Sequence, residues 1–334
     1  MAFTSLRRDA LAGLTTAFAL VPECIAFALV AHLNPLMGLY GAFFICTLTA
    51  LLGGRPGMIS GAAGSMAVVI VALVVQHGAQ YLLATVVLGG GLMMLFGALR
   101  LGKLIRMVPH PVMLGFVNGL AIVIALAQLE HFKEGEHWLQ GTALWVMIGL
   151  VAVTMAVVWV LPRLTRAVPP ALVAIVSVGV LTVGLGLPTR TLGDMAHIAA
   201  GLPQWHFPEV PLTLETLRIV LPYAVLMAAV GLLETLLTLN LTDEITETRG
   251  QPDRECVALG AANLASGLFG GMGGCAMLGL WQSESTSTTP HKARESSNPT
   301  YNRKKTTPSY QDVKYFTSAC HLAGEPPNVS EFYA

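Results

Sequence analysis

Residues 53–78, GGRPGMISGAAGSMAVVIVALVVQHG, decide how this chain is read. The apolar part, 63–76, is too short for a bilayer core that takes about 20 helical residues to cross, and it opens on small residues. A helix that begins inside the bilayer leaves its first N–H groups unpaired. That is tolerable only where they line a cavity and meet water or a ligand. The positive end of the helix dipole lies at the same point, so the ligand expected is an anion. Small residues also serve close helix–helix packing, so the stretch needs support from elsewhere.

The composition supplies the first support. Hydrophobic residues make up 54% of the 334 and charged residues 11%, against about 25% charged in a soluble domain, so the chain belongs in a membrane. Apolar runs near 9–33, 36–53, 79–98, 109–129, 143–162, 169–187, 217–241 and 256–271 predict spanning helices. The basic N-terminus leads into a run that passes Ala31 and is followed by others, which makes it a first span rather than a signal peptide. An N-terminus in the cytoplasm puts ten basic residues inside (Arg7, Arg8, Arg55, Arg100, Lys103, Arg106, Arg163, Arg166, Arg249, Arg254) and three outside (Lys133, Arg190, Arg218), as the positive-inside rule prefers. A formal net charge of zero, with no basic cluster before residue 280, points away from a nucleic-acid partner. The five cysteines form no CxxC pair, and His131, His137, His197 and His206 are irregularly spaced in the two long outer connections. The cysteines read as small apolar residues and the histidines as solvated loop residues, and neither a metal site nor a cofactor is expected.

The glycine-rich break occurs twice. Residues 35–67 carry a glycine-bearing helix into it, and residues 256–279, CVALGAANLASGLFGGMGGCAMLG, repeat the pattern more compactly. Each copy follows a helix with one mid-membrane carboxylate, Glu23 in ALVPECIAFAL and Glu234 in VGLLETLLTLN. Seven segments precede the second copy, so the two enter from opposite sides, the inverted repeat of many transporters. A carboxylate inside a membrane helix is expensive and points to a cation, a proton or a substrate path. Pro22 beside Glu23 removes a helix hydrogen bond, and Thr238, one turn beyond Glu234, shares its face and offers a second oxygen.

The stretches LVPECIAFAL, GLYGAFF, MVPHPVMLGFVNGLAIVIALAQLEHF, ALVAIV and NLASGLFGGMGGCAM resemble the sulfate permease (SulP) family of anion transporters over about residues 5–279. The resemblance implies an all-α polytopic fold of two seven-segment inverted repeats, of which this chain holds the first and the start of the second. It implies core segments at about 9–98 and 217–279, gate segments at about 109–187, and often a soluble STAS domain. It implies substrates such as sulfate, bicarbonate, chloride or small carboxylate anions, moved by proton or sodium symport or by exchange. The anion would lie between Gly64, Ser65, Met66 and Ala67 on one side and Cys275, Ala276 and Met277 on the other, with Glu23 facing it. Glu234 and Thr238 would hold the coupling ion. Glu in place of Asp, and Ala67 where sodium-coupled bicarbonate members place a hydroxyl, argue against sodium and bicarbonate.

From about Trp281 the sequence turns polar, without periodicity or STAS resemblance, and predicts a disordered tail over 280–334. A frameshift, premature junction or misassembled gene accounts for this better than a new domain, and such a chain is expected not to transport. The reading is a truncated secondary anion transporter of the inner (plasma) membrane, with a homodimer allowed but not required. The alternative is a non-transporting membrane fragment or pseudogene product. An intramembrane enzyme comes third, because no nucleophile–base pair is spaced for catalysis.

Overall fold

The computed structural model describes residues 2–103, 110–134, 137–164, 170–187 and 201–277, apart from 202, 212 and 247. His197 and the polar tail fall outside them. Among the described residues the order is α1 (Ala2–Val30), α2 (Pro35–Leu52), β1 (Ser60–Ala62), α3 (Gly64–His77), α4 (Ala79–Ala98), α5 (His110–Gln128), β2 (Lys133–Glu134), β3 (His137–Trp138), α6 (Thr142–Leu164), α7 (Pro170–Gly184), α8 (Leu214–Thr246), α9 (Pro252–Leu268) and β4 (Gly274–Ala276). The fold is an all-helical polytopic one, with two short antiparallel strand pairs, β1–β4 and β2–β3, that hydropathy does not anticipate. Among the described residues five helices, α1, α2, α4, α6 and α8, are long and apolar enough to cross a membrane. α3 has 14 residues, about 21 Å at 1.5 Å per residue, so it falls short of a core of about 30 Å.

Local chemistry sets the helix ends. Asn34 caps α2 by accepting the Leu36 N–H at 3.0 Å, and Pro35 follows at the first helical position, where its missing N–H costs nothing. α9 starts four residues before the predicted span because Pro252 occupies its first turn and Asp253 and Glu255 complement the dipole there. It stops at Gly270, whose φ of 74° suits glycine, and the Gly271 N–H returns to the Ser266 carbonyl at 2.7 Å.

The densest packing is between α4 and α9 and runs on two glycines from each. A Cβ at Gly90 would lie 2.7 Å from the Gly260 carbonyl oxygen, and one at Gly260 would lie 2.5 Å from the Met94 nitrogen. Gly97 and Gly267 extend the seam at the same spacing of seven residues along each helix. Lipid offers no hydrophobic drive for helix association, so contact this close supplies dispersion energy in its place. Around the seam a buried cluster includes Cys24, Ile45, Met66, Ile70, Met93, Met227, Leu259, Met272 and Cys275. α6 pairs with α7 and turns Trp145, Ile148, Met155 and Trp159 outward, an apolar surface suited to lipid rather than water.

Candidate functional site

The site is built where the two glycine-rich breaks cross. β1 and β4 pair antiparallel in the register Ser60↔Ala276, Gly61↔Cys275 and Ala62↔Gly274, and the Met277 N–H extends the ladder to the Ile59 carbonyl at 2.9 Å. Only small side chains allow this: a Cβ at Gly274 would run into the Gly61 carbonyl oxygen. Alternate backbone groups of β4 turn away from β1, as antiparallel pairing requires, and side chains satisfy them. The Asn263 side chain accepts the Gly274 N–H at 2.9 Å and donates to the Gly274 carbonyl at 3.0 Å, and Thr235 Oγ1 accepts the Ala276 N–H at 3.0 Å.

α3 starts two residues after β1. Its N-cap, Ala63, has no side chain that can bond, and Ala67 N–H to Ala63 carbonyl at 3.1 Å is its first intrahelical bond. By helix geometry Gly64, Ser65 and Met66 direct N–H groups out of the helix end with about half a positive charge. The Glu234 carboxylate lies beside this end. Its Oε2 accepts the Ser65 hydroxyl, and accepts the Cys275 thiol at 3.0 Å. One carboxylate oxygen therefore ties α8, the start of α3 and β4 together. Phe27 of α1 covers Gly64, and the adjoining cleft between α1, α3 and α5 is lined by Phe27, Val30, Gly64, Val68, Ile124 and Gln128.

The structure thus gathers Ser65, Glu234, Cys275 and Ala276 into one cluster. It places the other expected site residues as follows. Thr238 does not offer its hydroxyl to the Glu234 carboxylate, because that hydroxyl donates to the Glu234 main-chain carbonyl at 2.8 Å. Thr235, one residue along, is the threonine that reaches β4. Glu23 is half-buried, and α1 meets β1 through Cys24 and Leu20 instead. Met66 and Ala67 are fully buried, with the Met66 methyl against Gly231. Cys275 and Ala276 sit in an extended strand rather than at the start of a half-helix, so main chain expected to lie unpaired there is paired across 274–277.

Hydropathy also passes over two polar clasps. At the end assigned to the cytoplasm, Arg55 forms an ion pair with Asp243 at 3.1 Å, while the buried Glu255 carboxylate accepts the Gly54 N–H at 2.7 Å. At the opposite end His206 is half-buried rather than solvated: its ring bonds to Gln80, and its main-chain N–H donates to the Leu268 carbonyl at 2.7 Å. His137 is exposed as expected, and no metal-ligating cluster occurs among the described residues.

Comparison with known proteins gives the chain its family. A model of the sulfate permease family matches residues 6–279. YbaR of Bacillus subtilis, provisionally named a sulfate transporter, is 46% identical over 277 residues, which cover 83% of this chain and 56% of YbaR. The bicarbonate transporter BicA of a Picosynechococcus strain is 30% identical over 81% of this chain and 52% of its own length. The chain thus spans about half the length of these relatives. The solved transmembrane domain of a cyanobacterial BicA superposes with a TM-score of 0.74 at 27% identity, covering 86% of this chain and 78% of that domain. The murine Slc26a9 anion transporter shares the fold, with a TM-score of 0.70 at 17% identity over 84% of this chain and 53% of that one. The matched family and relatives are membrane anion transporters, not enzymes, and the chain belongs to the sulfate permease family.

Proposed function

We propose that the chain forms the substrate-binding part of a secondary transporter for a small inorganic or carboxylate anion, of the sulfate or bicarbonate class for which its relatives are named. The observation that carries this reading is the Glu234 carboxylate at the start of α3, held by Ser65 and Cys275. An anion drawn to the same helix end meets a fixed negative charge, and in a low-dielectric site that repulsion is severe. A proton or sodium ion on Glu234 removes it. The Ser65 hydroxyl and Cys275 thiol, no longer both held by a carboxylate, then become donors for the anion. Anion and cation therefore bind together, which is symport. In this reading α1–α4 with α8, α9 and β4 form the core, α5–α7 belong to the gate, and the protein lies in the plasma membrane with its N-terminus inside.

The test is flux into proteoliposomes, measured for the chain itself and for a chimera continued beyond Met277 with the remaining segments of YbaR. Sulfate and bicarbonate uptake by the chimera should follow a proton or sodium gradient, and Glu234→Gln in it should abolish that dependence while the protein still inserts. Uptake by the Gln variant that follows the same gradients would reject the coupling role. Absence of flux from both proteins would favour the non-transporting alternative.

A further inference from the structure

We infer that Asn263 is the positioning residue of the anion site, setting the place of β4 and through it the Cys275 thiol. The inference deepens the anion-site reading above and rests on it. Asn263 lies mid-helix in α9, fully buried, where asparagine is a poor helix former and an unpaired carboxamide would be costly. Its carboxamide is bonded at both ends, and its Nδ2 also lies 3.6 Å from the Met93 sulfur. Nδ2 donates to the Leu259 carbonyl and to the Gly274 carbonyl, each at 3.0 Å, and Oδ1 accepts the Gly274 N–H at 2.9 Å. The last two imitate a strand partner one residue long, on the edge of β4 opposite β1.

The geometry demands a carboxamide of this length. Aspartate keeps the acceptor but loses the donors and sets a charge against two carbonyl oxygens. Serine and threonine carry one O–H, and glutamine is one methylene too long for the close α9–β4 spacing. With Gly274 held by Asn263 and Ala276 held by Thr235, the residue between them has one orientation left, and it brings the Cys275 sulfur to Glu234 at 3.0 Å. Asn263 need not touch the anion to act. It fixes one of the two donors on the coupling carboxylate.

The experiment uses the full chain with Cys24, Cys46, Cys256 and Cys320 changed to alanine, which leaves Cys275 as the one thiol. Labelling by a membrane-permeant maleimide is timed with and without sulfate or bicarbonate. Asn263→Asp and Asn263→Ala should speed labelling about tenfold, the factor expected when a buried hydrogen bond is lost. The control is Ser266→Ala, which removes another buried bond from α9, to the Met272 carbonyl at 2.9 Å, and should leave the rate near that of the parent. Unchanged rates in folded Asn263 variants overturn the inference, and so does an equal rise in Ser266→Ala, which would mean general loosening. If the Asn263 variants do not insert, hydrogen exchange in the parent decides: a slowly exchanging Gly274 amide supports the inference and a fast one overturns it. Anion protection is read separately, so a positive Asn263 effect without protection by either anion sinks the anion-site reading and leaves the strand role standing.

Discussion

The Cys275 thiol donates to the Glu234 carboxylate at 3.0 Å, joining residues 41 positions apart on β4 and α8. A thiol is a weak donor, but both partners are buried, and the oxygen it serves also takes the Ser65 hydroxyl. Hydrogen bonds to charged groups contribute about 1.5–3 kcal/mol, so Cys275→Ala should lower the melting temperature of the detergent-purified chain by several degrees. Cys275→Ser keeps a donor and should lose less than half as much. Equal melting temperatures for the alanine variant and the parent would show that the thiol does not support the carboxylate.

The ion pair between Arg55 and Asp243 has side chains only 5% and 16% exposed. Breaking such a pair from one side strands a buried charge, at a cost of about 3–5 kcal/mol, whereas replacing both partners with apolar residues costs far less. Arg55→Met should therefore destabilise strongly, and Arg55→Met with Asp243→Leu should recover part of the loss. Asp243 also accepts the Gly250 N–H at 2.9 Å, so recovery should be incomplete. A double-mutant cycle on thermal unfolding measures this, and additive losses would contradict the pairing.

Sequence made the helices legible because a spanning helix is declared by its own composition. The run predicted at 36–53 is Pro35–Leu52, and the short segment predicted at 63–76 is Gly64–His77. The site was harder. Spacing along α8 put Thr238 on the face of Glu234, but spacing cannot show that a threonine hydroxyl bonds back to its own helix. The real partners come from 169 and 41 residues away. β1 and β4 carry no alternating pattern, since SGA and GCA are all small and all buried, so neither the strand pair nor the need for Asn263 could be read without the fold.

The α4–α9 seam makes a prediction with an internal control. Gly90→Ala pushes a methyl to 2.6 Å from the Leu264 nitrogen and 2.7 Å from the Gly260 oxygen, both main-chain atoms of a neighbouring helix that can yield only by moving as a whole. Gly91→Ala meets nothing within 4 Å and adds helix propensity. Gly90→Ala should cost more than the 1–3 kcal/mol usual for overpacking a core, visible as loss from the membrane fraction, while Gly91→Ala should match or exceed the parent. Equal accumulation of the two variants would contradict this packing.

The strand crossing supplies an asymmetric pair, because Gly61 of β1 and Gly274 of β4 meet different neighbours. A methyl at Gly274 would enter the Gly61 carbonyl oxygen and come within 2.8 Å of the Ile45 Cδ1, so the ladder itself must open. A methyl at Gly61 would come 3.1 Å from the Leu20 Cδ1 and 3.6 Å from the Met277 sulfur, the ends of flexible side chains that can move aside. Opening the ladder withdraws Cys275 from Glu234, and the loss reaches the site as well as the fold. Gly274→Ala should therefore weaken sulfate or bicarbonate protection of Cys275 in the maleimide assay at least tenfold, whereas Gly61→Ala should change it less than threefold. Serine at position 274 should fail as alanine does, since the clash arises at Cβ. If alanine proves as harmless at 274 as at 61, β1 and β4 do not pair as described, and the thiol of Cys275 reaches Glu234 by some other course of the chain.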